Sequence, residues 1–136
     1  MKIARKLATT AVTLGMAVTA VIGTTTTAGA SVNAAYVGYG YAEYGSGVWC
    51  VQHLLNHNGE YDAGVSEDSY WGPRTEAAVK AFQSYIKQAR EPRIAVDGVV
   101  GPRTGWWLLY LNKDGYGYGH NGNGDGYCWN HVPSSF

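Results

Sequence analysis

Two histidines, His53 and His57, stand four residues apart, a spacing that puts both imidazoles on one face of a helix and suits two ligands of a zinc ion. A metalloprotease helix carries its general-base Glu directly after the first of these histidines, and here that position is Leu54. His120 and His131 are further potential ligands, but both fall in a loop-rich tail. The pair is read as two exposed surface histidines. Asn121, Asn123, Asp125 and Gly126 imitate the first half of an EF-hand loop. That loop would begin on Asn and reach Val132 at its twelfth position, which has no carboxylate for calcium. It is read as a plain loop. Adjacent carboxylates such as Glu67 and Asp68 exist, yet no spacing sets two of them across a sugar cleft. No Ser/His/Asp arrangement can be defended. The chain is expected to be non-catalytic, with no cofactor and no metal.

Three helices are expected to position these residues. Val48, Val51, Leu54 and Leu55 recur at helical spacing, with Ser46 as a hydroxyl cap and Gly59 as a stop. A second helix opens at Gly72-Pro73, where the missing proline N–H costs nothing. It runs through Ala78, Phe82, Tyr85, Ile86 and Ala89 and must end before Pro92. A third opens in the same way at Gly101-Pro102 and continues through Trp106, Leu108, Leu109 and Leu111. The expected fold class is all-α, a three-helix bundle with Gly/Tyr-rich non-helical arms. The expected segments are 31–46 (Tyr/Gly arm), 47–112 (helical domain) and 113–136 (Gly-rich tail). The two arms are read as loops or short extended pieces, with mutual pairing as one option.

The helix starts are copies of one unit. Asp68-Ser69-Tyr70-Trp71-Gly72-Pro73-Arg74-Thr75 and Asp97-Gly98-Val99-Val100-Gly101-Pro102-Arg103-Thr104 agree at Asp, Gly, Pro, Arg and Thr. Asp opens a tight turn by accepting from its own backbone, an apolar residue drops into the core, and Gly-Pro starts the helix. Trp71 and Val100 are equivalent in the repeat, which favours a core position for Trp71. Gln52, Gln83 and the two Asp residues are read as structural.

The N-terminus has the pattern of a secretory signal: basic Lys2, Arg5 and Lys6, an apolar run from Leu7 to Ile22, then Ala28-Gly29-Ala30. Cleavage is expected after Ala30, with Ala34 or Ala35 as alternatives. The full chain has 10 Lys+Arg against 10 Asp+Glu. Removing residues 1–30 takes away three bases and no acid, so the mature chain is mildly acidic. With no basic stripe, nucleic acid and anionic lipid are poor partners, and no membrane contact is expected after cleavage. The 2 cysteines, Cys50 and Cys128, are expected to form a disulfide in an oxidising compartment, tying the tail to the first helix. Two free thiols are the rival reading.

The ordered set of motifs resembles the peptidoglycan-binding domain family, a three-helix module appended to many bacterial wall hydrolases. It is carried by Val48 to Asn56, Gly59, Asp68 to Thr75, Ala77 to Gln83 and Val96 to Thr104. Ser69 replaces the family's Gly, the stretch from Ser84 to Val96 is longer than usual, and Gly105 stands where an aromatic is typical. The resemblance implies a secreted or wall-associated module that binds peptidoglycan, alone or beside a separate wall hydrolase. If the family's shallow groove is kept, the candidate ligand-binding residues are Tyr70, Trp71, Arg74, Arg103 and Trp106. Aromatic rings suit sugar faces and arginines suit carboxylates. The alternatives are a secreted protein-interaction or inhibitor module, since the same bundle resembles pro-segments of metalloenzymes, and a small metal-dependent wall hydrolase using His53 and His57.

Overall fold

A computed structural model describes residues 34–117 and 126–135. The expected signal segment, His120 and most of the EF-hand-like stretch lie outside these residues. Three α-helices are present: α1 (Ser46–Asn56), α2 (Pro73–Ala89) and α3 (Pro102–Leu111), followed by a 3-10 turn at Tyr127–Asn130. Extended pairing among the described residues is limited to isolated bridges. The all-α, three-helix expectation is met.

Helix α1 is the centre of the bundle. Val48, Cys50, Val51, Gln52, His53, Leu54 and Leu55 are all buried, on more than one face, because α2, α3 and the tail surround it. It begins differently from expectation. Gly45 is the N-cap, in a left-handed conformation (φ 96°), and Ser46 is the first helical residue with no capping hydrogen bond. Helix α2 presents Thr75, Ala78, Val79, Phe82, Gln83 and Ile86 to the core, and α3 presents Thr104, Gly105, Leu108, Leu109 and Leu111. Both start with Pro in the first turn.

Each repeat loop is stapled by a glutamine of the preceding helix. Gln52 Nε2 donates toward Asp68 Oδ1 (2.9 Å), the Tyr70 carbonyl (2.9 Å) and Thr75 Oγ1 (3.2 Å), while its Oε1 accepts from Ser69 N–H (3.0 Å). Gln83 Nε2 reaches Asp97 Oδ1 (3.0 Å), the Val99 carbonyl (2.9 Å) and Thr104 Oγ1 (3.1 Å), and its Oε1 accepts from Asp97 N–H (3.1 Å) and Gly98 N–H (2.9 Å). The Asp turns form as expected: Asp68 accepts from Tyr70 N–H at 3.0 Å and Asp97 from Val99 N–H at 2.9 Å. Ser69 (φ 65°) takes the same left-handed conformation as Gly98 (φ 75°), so the first copy keeps the turn at a local cost. The repeat is one structural unit used twice, each copy delivering a buried residue, Trp71 or Val100, to the core.

The hydrogen bond from Tyr70 N–H, and then that from Gln52, hold the Asp68 carboxyl below its ordinary value. A carboxyl lowered on folding contributes stability that is fully present above its unfolded pKa, about 3.9, and is lost as pH falls through the folded value. The gap in melting temperature between wild type and Asp68→Asn is therefore expected at neutral pH and to close below about pH 4. A gap that persists unchanged at pH 3 would show that the ionised carboxylate is not what stabilises the turn.

The N-terminal arm pairs with the two repeat loops, not with the tail among the described residues. Val37 and Val100 exchange N–H···O bonds of 3.2 and 2.8 Å. Trp71 N–H donates to Glu43 O (2.8 Å) and Gly45 N–H to Ser69 O (2.9 Å). The tail is integrated through Cys50–Cys128 and through Trp129 and Val132, both buried. Gly105 is the reason it fits. A Cβ there would lie 1.8 Å from the Pro133 carbonyl oxygen, so the tail occupies the space a side chain would need.

Candidate functional site

The first turn of α3 borders a groove. One hollow, of about 450 Å³, lies among Tyr36, Arg93, Asp97, Gly101, Arg103 and Ser135. A second, of about 420 Å³, is lined by Glu91, Arg103, Trp106 and Ser135. Arg103 and Ser135 belong to both, so the two hollows adjoin at the guanidinium. The positions follow from local structure. Gly101-Pro102 turns the chain into α3 and leaves Arg103 exposed on its first turn. Tyr36 reaches the groove because its neighbour Val37 pairs with Val100, and its ring packs over Gly101, where a Cβ would come within 3.2 Å.

Glu91 organises one wall. Its carboxylate accepts from Arg103 Nη1 (2.7 Å) and from Trp107 Nε1 (2.9 Å). A single engaged nitrogen leaves other N–H donors of the guanidinium fork to face a ligand. Trp106 stacks on Tyr110 (centroids 4.8 Å, 10°) and meets Trp107 edge-on (4.6 Å, 81°), forming a half-exposed aromatic ledge. Glu91 was not a sequence candidate. Its only signal was its place just before Pro92, at the end of α2, on a stretch longer than the family's.

The five candidate residues fall in three places. Arg103 and Trp106 share the groove. Tyr70 and Arg74 are exposed at the start of α2 and do not line it. Trp71 is only 7% exposed and belongs to the core; its indole N–H reaches no acceptor among the described residues. The arm brings Tyr44 opposite Tyr70 through a backbone bridge, and both rings are exposed (76% and 69%).

Of the histidine pair, His57 is exposed as expected, but His53 departs from expectation. His53 is 8% exposed, not a surface residue, because Trp49 stacks on one face (4.7 Å) and His57 also packs against it (4.2 Å). Tyr116 adds a third ring at 4.4 Å. Two carboxylates close in from sequence positions far apart. His53 Nδ1 lies 2.8 Å from Glu67 Oε2 and Nε2 lies 2.7 Å from Asp114 Oδ2. His57 approaches the same groups, Nε2 to Glu67 Oε1 at 3.4 Å and Nδ1 to Asp114 Oδ2 at 3.5 Å. Burial raises the Glu67 carboxyl, but hydrogen bonds from His53 and Asn56 and the two imidazoles outweigh it and leave it below its ordinary value. Asp114 is likewise raised by burial and brought down further by Tyr116 N–H, Asn112 and His53. His131 stands apart, bonded to the Tyr127 carbonyl (3.0 Å).

The fold and the groove define a small helical module built from a duplicated loop-and-helix unit. Residues 44–105, a little under half of the chain, match the model of the family described as "Putative peptidoglycan binding domain". No curated protein and no solved structure gave a match. The motif resemblance and the family match thus coincide over the arm's end, α1, α2 and the start of α3. It stops at Gly105, the residue against which this chain's tail is seated. No helix among the described residues is long and apolar enough to cross a membrane.

Proposed function

We propose that this chain is a secreted, non-catalytic protein that holds peptidoglycan in the groove at the start of α3. The observation that carries this reading is the convergence of Arg103 and Trp106 on two adjoining hollows, inside or next to the segment that matches the family. Peptidoglycan presents apolar sugar faces, amides and stem-peptide carboxylates. The Trp106–Tyr110 ledge suits a sugar face, and the remaining Arg103 donors suit a carboxylate. Tyr70 and Arg74, with Tyr44, form a second exposed patch at the equivalent place in the first repeat, suited to an extended glycan that touches both copies. The signal-like N-terminus and the disulfide support export. Binding is non-covalent, and the protein acts at the wall alone or beside a separate hydrolase.

The test is sedimentation of the mature protein with purified insoluble cell walls. Wild type is expected in the pellet. Arg103→Ala and Trp106→Ala are each expected to weaken binding about tenfold, the loss of roughly 1.4 kcal/mol of contact. Arg74→Ala is expected to weaken it less. Wild type left in the supernatant would overturn the function; variants that all pellet alike would overturn the site. The same walls should not clear when the protein is added with or without zinc. Clearing would overturn the non-catalytic reading in favour of a wall hydrolase.

A further inference from the structure

We infer that His53, His57 and Asp114 form a binding site for a divalent transition-metal cation of the zinc type, with Glu67 as the outer carboxylate that orients both histidines. The site lies apart from the groove and does not depend on peptidoglycan binding. One ligand atom from each of the three residues can be chosen so that all lie within 4.8 Å of one another. The donor set, two imidazoles and a carboxylate, is one that zinc and its neighbours accept.

The hydrogen-bond inventory supplies the reason for a cation. A neutral imidazole has one N–H donor and one lone pair. Both nitrogens of His53 nevertheless face carboxylate oxygens at 2.8 and 2.7 Å, and both nitrogens of the stacked His57 face the same two carboxylates at 3.4 and 3.5 Å. Lone pair against carboxylate is repulsive, so a neutral His53 leaves one of its two short contacts without a proton. A cation on the Asp114 edge, where His57 Nδ1 also faces, resolves that conflict.

The two edges are not equivalent. Glu67 gives Oε2 to His53, while its Oε1 accepts from Asn56 Nδ2 (3.0 Å) and lies 3.4 Å from His57 Nε2. Asp114 turns a single oxygen, Oδ2, toward both rings. We place the protons on His53 Nδ1, donated to Glu67 Oε2, and on His57 Nε2, which faces Glu67 Oε1 without a hydrogen bond. The lone pairs of His53 Nε2 and His57 Nδ1 then point to the Asp114 edge, where the cation sits. A carboxylate fixing the tautomer of a metal-bound histidine is a recurrent outer-shell arrangement. Bonds of about 2.0–2.1 Å in tetrahedral geometry set ligand atoms roughly 3.3 Å apart. The His57–Asp114 pair is already at 3.5 Å, and the His53–Asp114 pair at 2.7 Å has to open slightly. The fourth position is left for water or an incoming oxygen ligand. Such a cation would tie α1 to the turn at 113–116, from which the chain leads toward the disulfide-bound tail.

The experiment is titration of untagged, disulfide-intact mature protein with zinc chloride, followed by calorimetry and by equilibrium dialysis. Wild type is expected to take up one equivalent, with a rise in melting temperature that EDTA reverses. His57→Asn, on the more exposed ring, and Asp114→Asn are each expected to weaken uptake at least tenfold while leaving the EDTA-treated melting temperature near that of wild type. Glu67→Gln is expected to weaken it about 10–100-fold, as loss of an outer-shell carboxylate does. No uptake by wild type, or equal uptake by His57→Asn, would overturn the site and leave a second proton as the resolution. Unchanged affinity in Glu67→Gln would overturn the role given to Glu67. Wall sedimentation of His57→Asn should match wild type, which separates this inference from the function proposed for the groove.

Discussion

Replacing Cys50 and Cys128 together by alanine is expected to lower the unfolding free energy by about 4–5 kcal/mol on the chain-entropy account of disulfides. The bond joins residues 78 apart in sequence, so it removes a long loop's freedom from the unfolded chain. That loss is a large share of the roughly 5–15 kcal/mol that holds a domain of this size together. Alanine is the appropriate replacement because both sulfur-bearing side chains are fully buried and a hydroxyl there would need a partner. The consequence should be uneven. The family-matched segment keeps its glutamine-stapled loops and its core. The tail, which contributes Cys128, Trp129 and Val132 to that core, should open first. Urea unfolding of the double variant, with amide exchange over 126–135, checks both parts. A loss below about 1 kcal/mol would mean that tail packing alone, through the seat at Gly105, holds the segment down.

Gln83→Leu is expected to cost about 3–5 kcal/mol, at the upper end for a single buried polar residue. The leucine fills similar space, so the penalty is chiefly unmet hydrogen bonding. Gln83 has no exposed surface, and its loss would strand the N–H groups of Asp97 and Gly98 and the carbonyl of Val99. The Gly98 N–H bond is buried and its loss costs about 1–3 kcal/mol, while the part-buried Asp97 N–H and Val99 carbonyl add less each. Gln52→Leu should cost less, because Ser69 N–H is the one backbone donor that its Oε1 serves. Chemical denaturation of the two variants side by side measures the difference. Equal, small losses would show that the loops are held by the Asp turns and helix starts, and that the glutamines are bystanders.

Much of this architecture was legible in local chemistry. Pro73 and Pro102 mark helix starts, Pro92 forces α2 to end, and apolar spacing sets which face is buried. Trp71 and Val100 occupy equivalent places in a loop that repeats, and both are buried. Each of these signals acts within a few residues, through a fixed φ, a side chain bonding its own backbone or a helical period. An even pair of cysteines was enough to suggest the bond between Cys50 and Cys128. The helix cap was less legible. Ser46 has the right chemistry, but the arm's hydrogen bond at Gly45 sets the start of α1 one residue earlier.

The site chemistry depended on distant segments meeting. His53 and His57 announce a shared helix face, yet nothing in their spacing shows that Glu67 and Asp114 will flank them, one placed by the first repeat loop and the other by the turn after α3. Arg103 and Trp106 are visible as a helix's first residues; that Glu91, Tyr36 and Ser135 complete a groove around them depends on the end of α2, the arm and the tail arriving together. Gly105 reads as a family aromatic gone missing until the Pro133 carbonyl is found in its place. Helix starts and turns are decided by short-range sterics and hydrogen bonds, which a linear pattern records. Pockets and ligand clusters are decided by the packing of segments far apart in the chain, which a single sequence does not record.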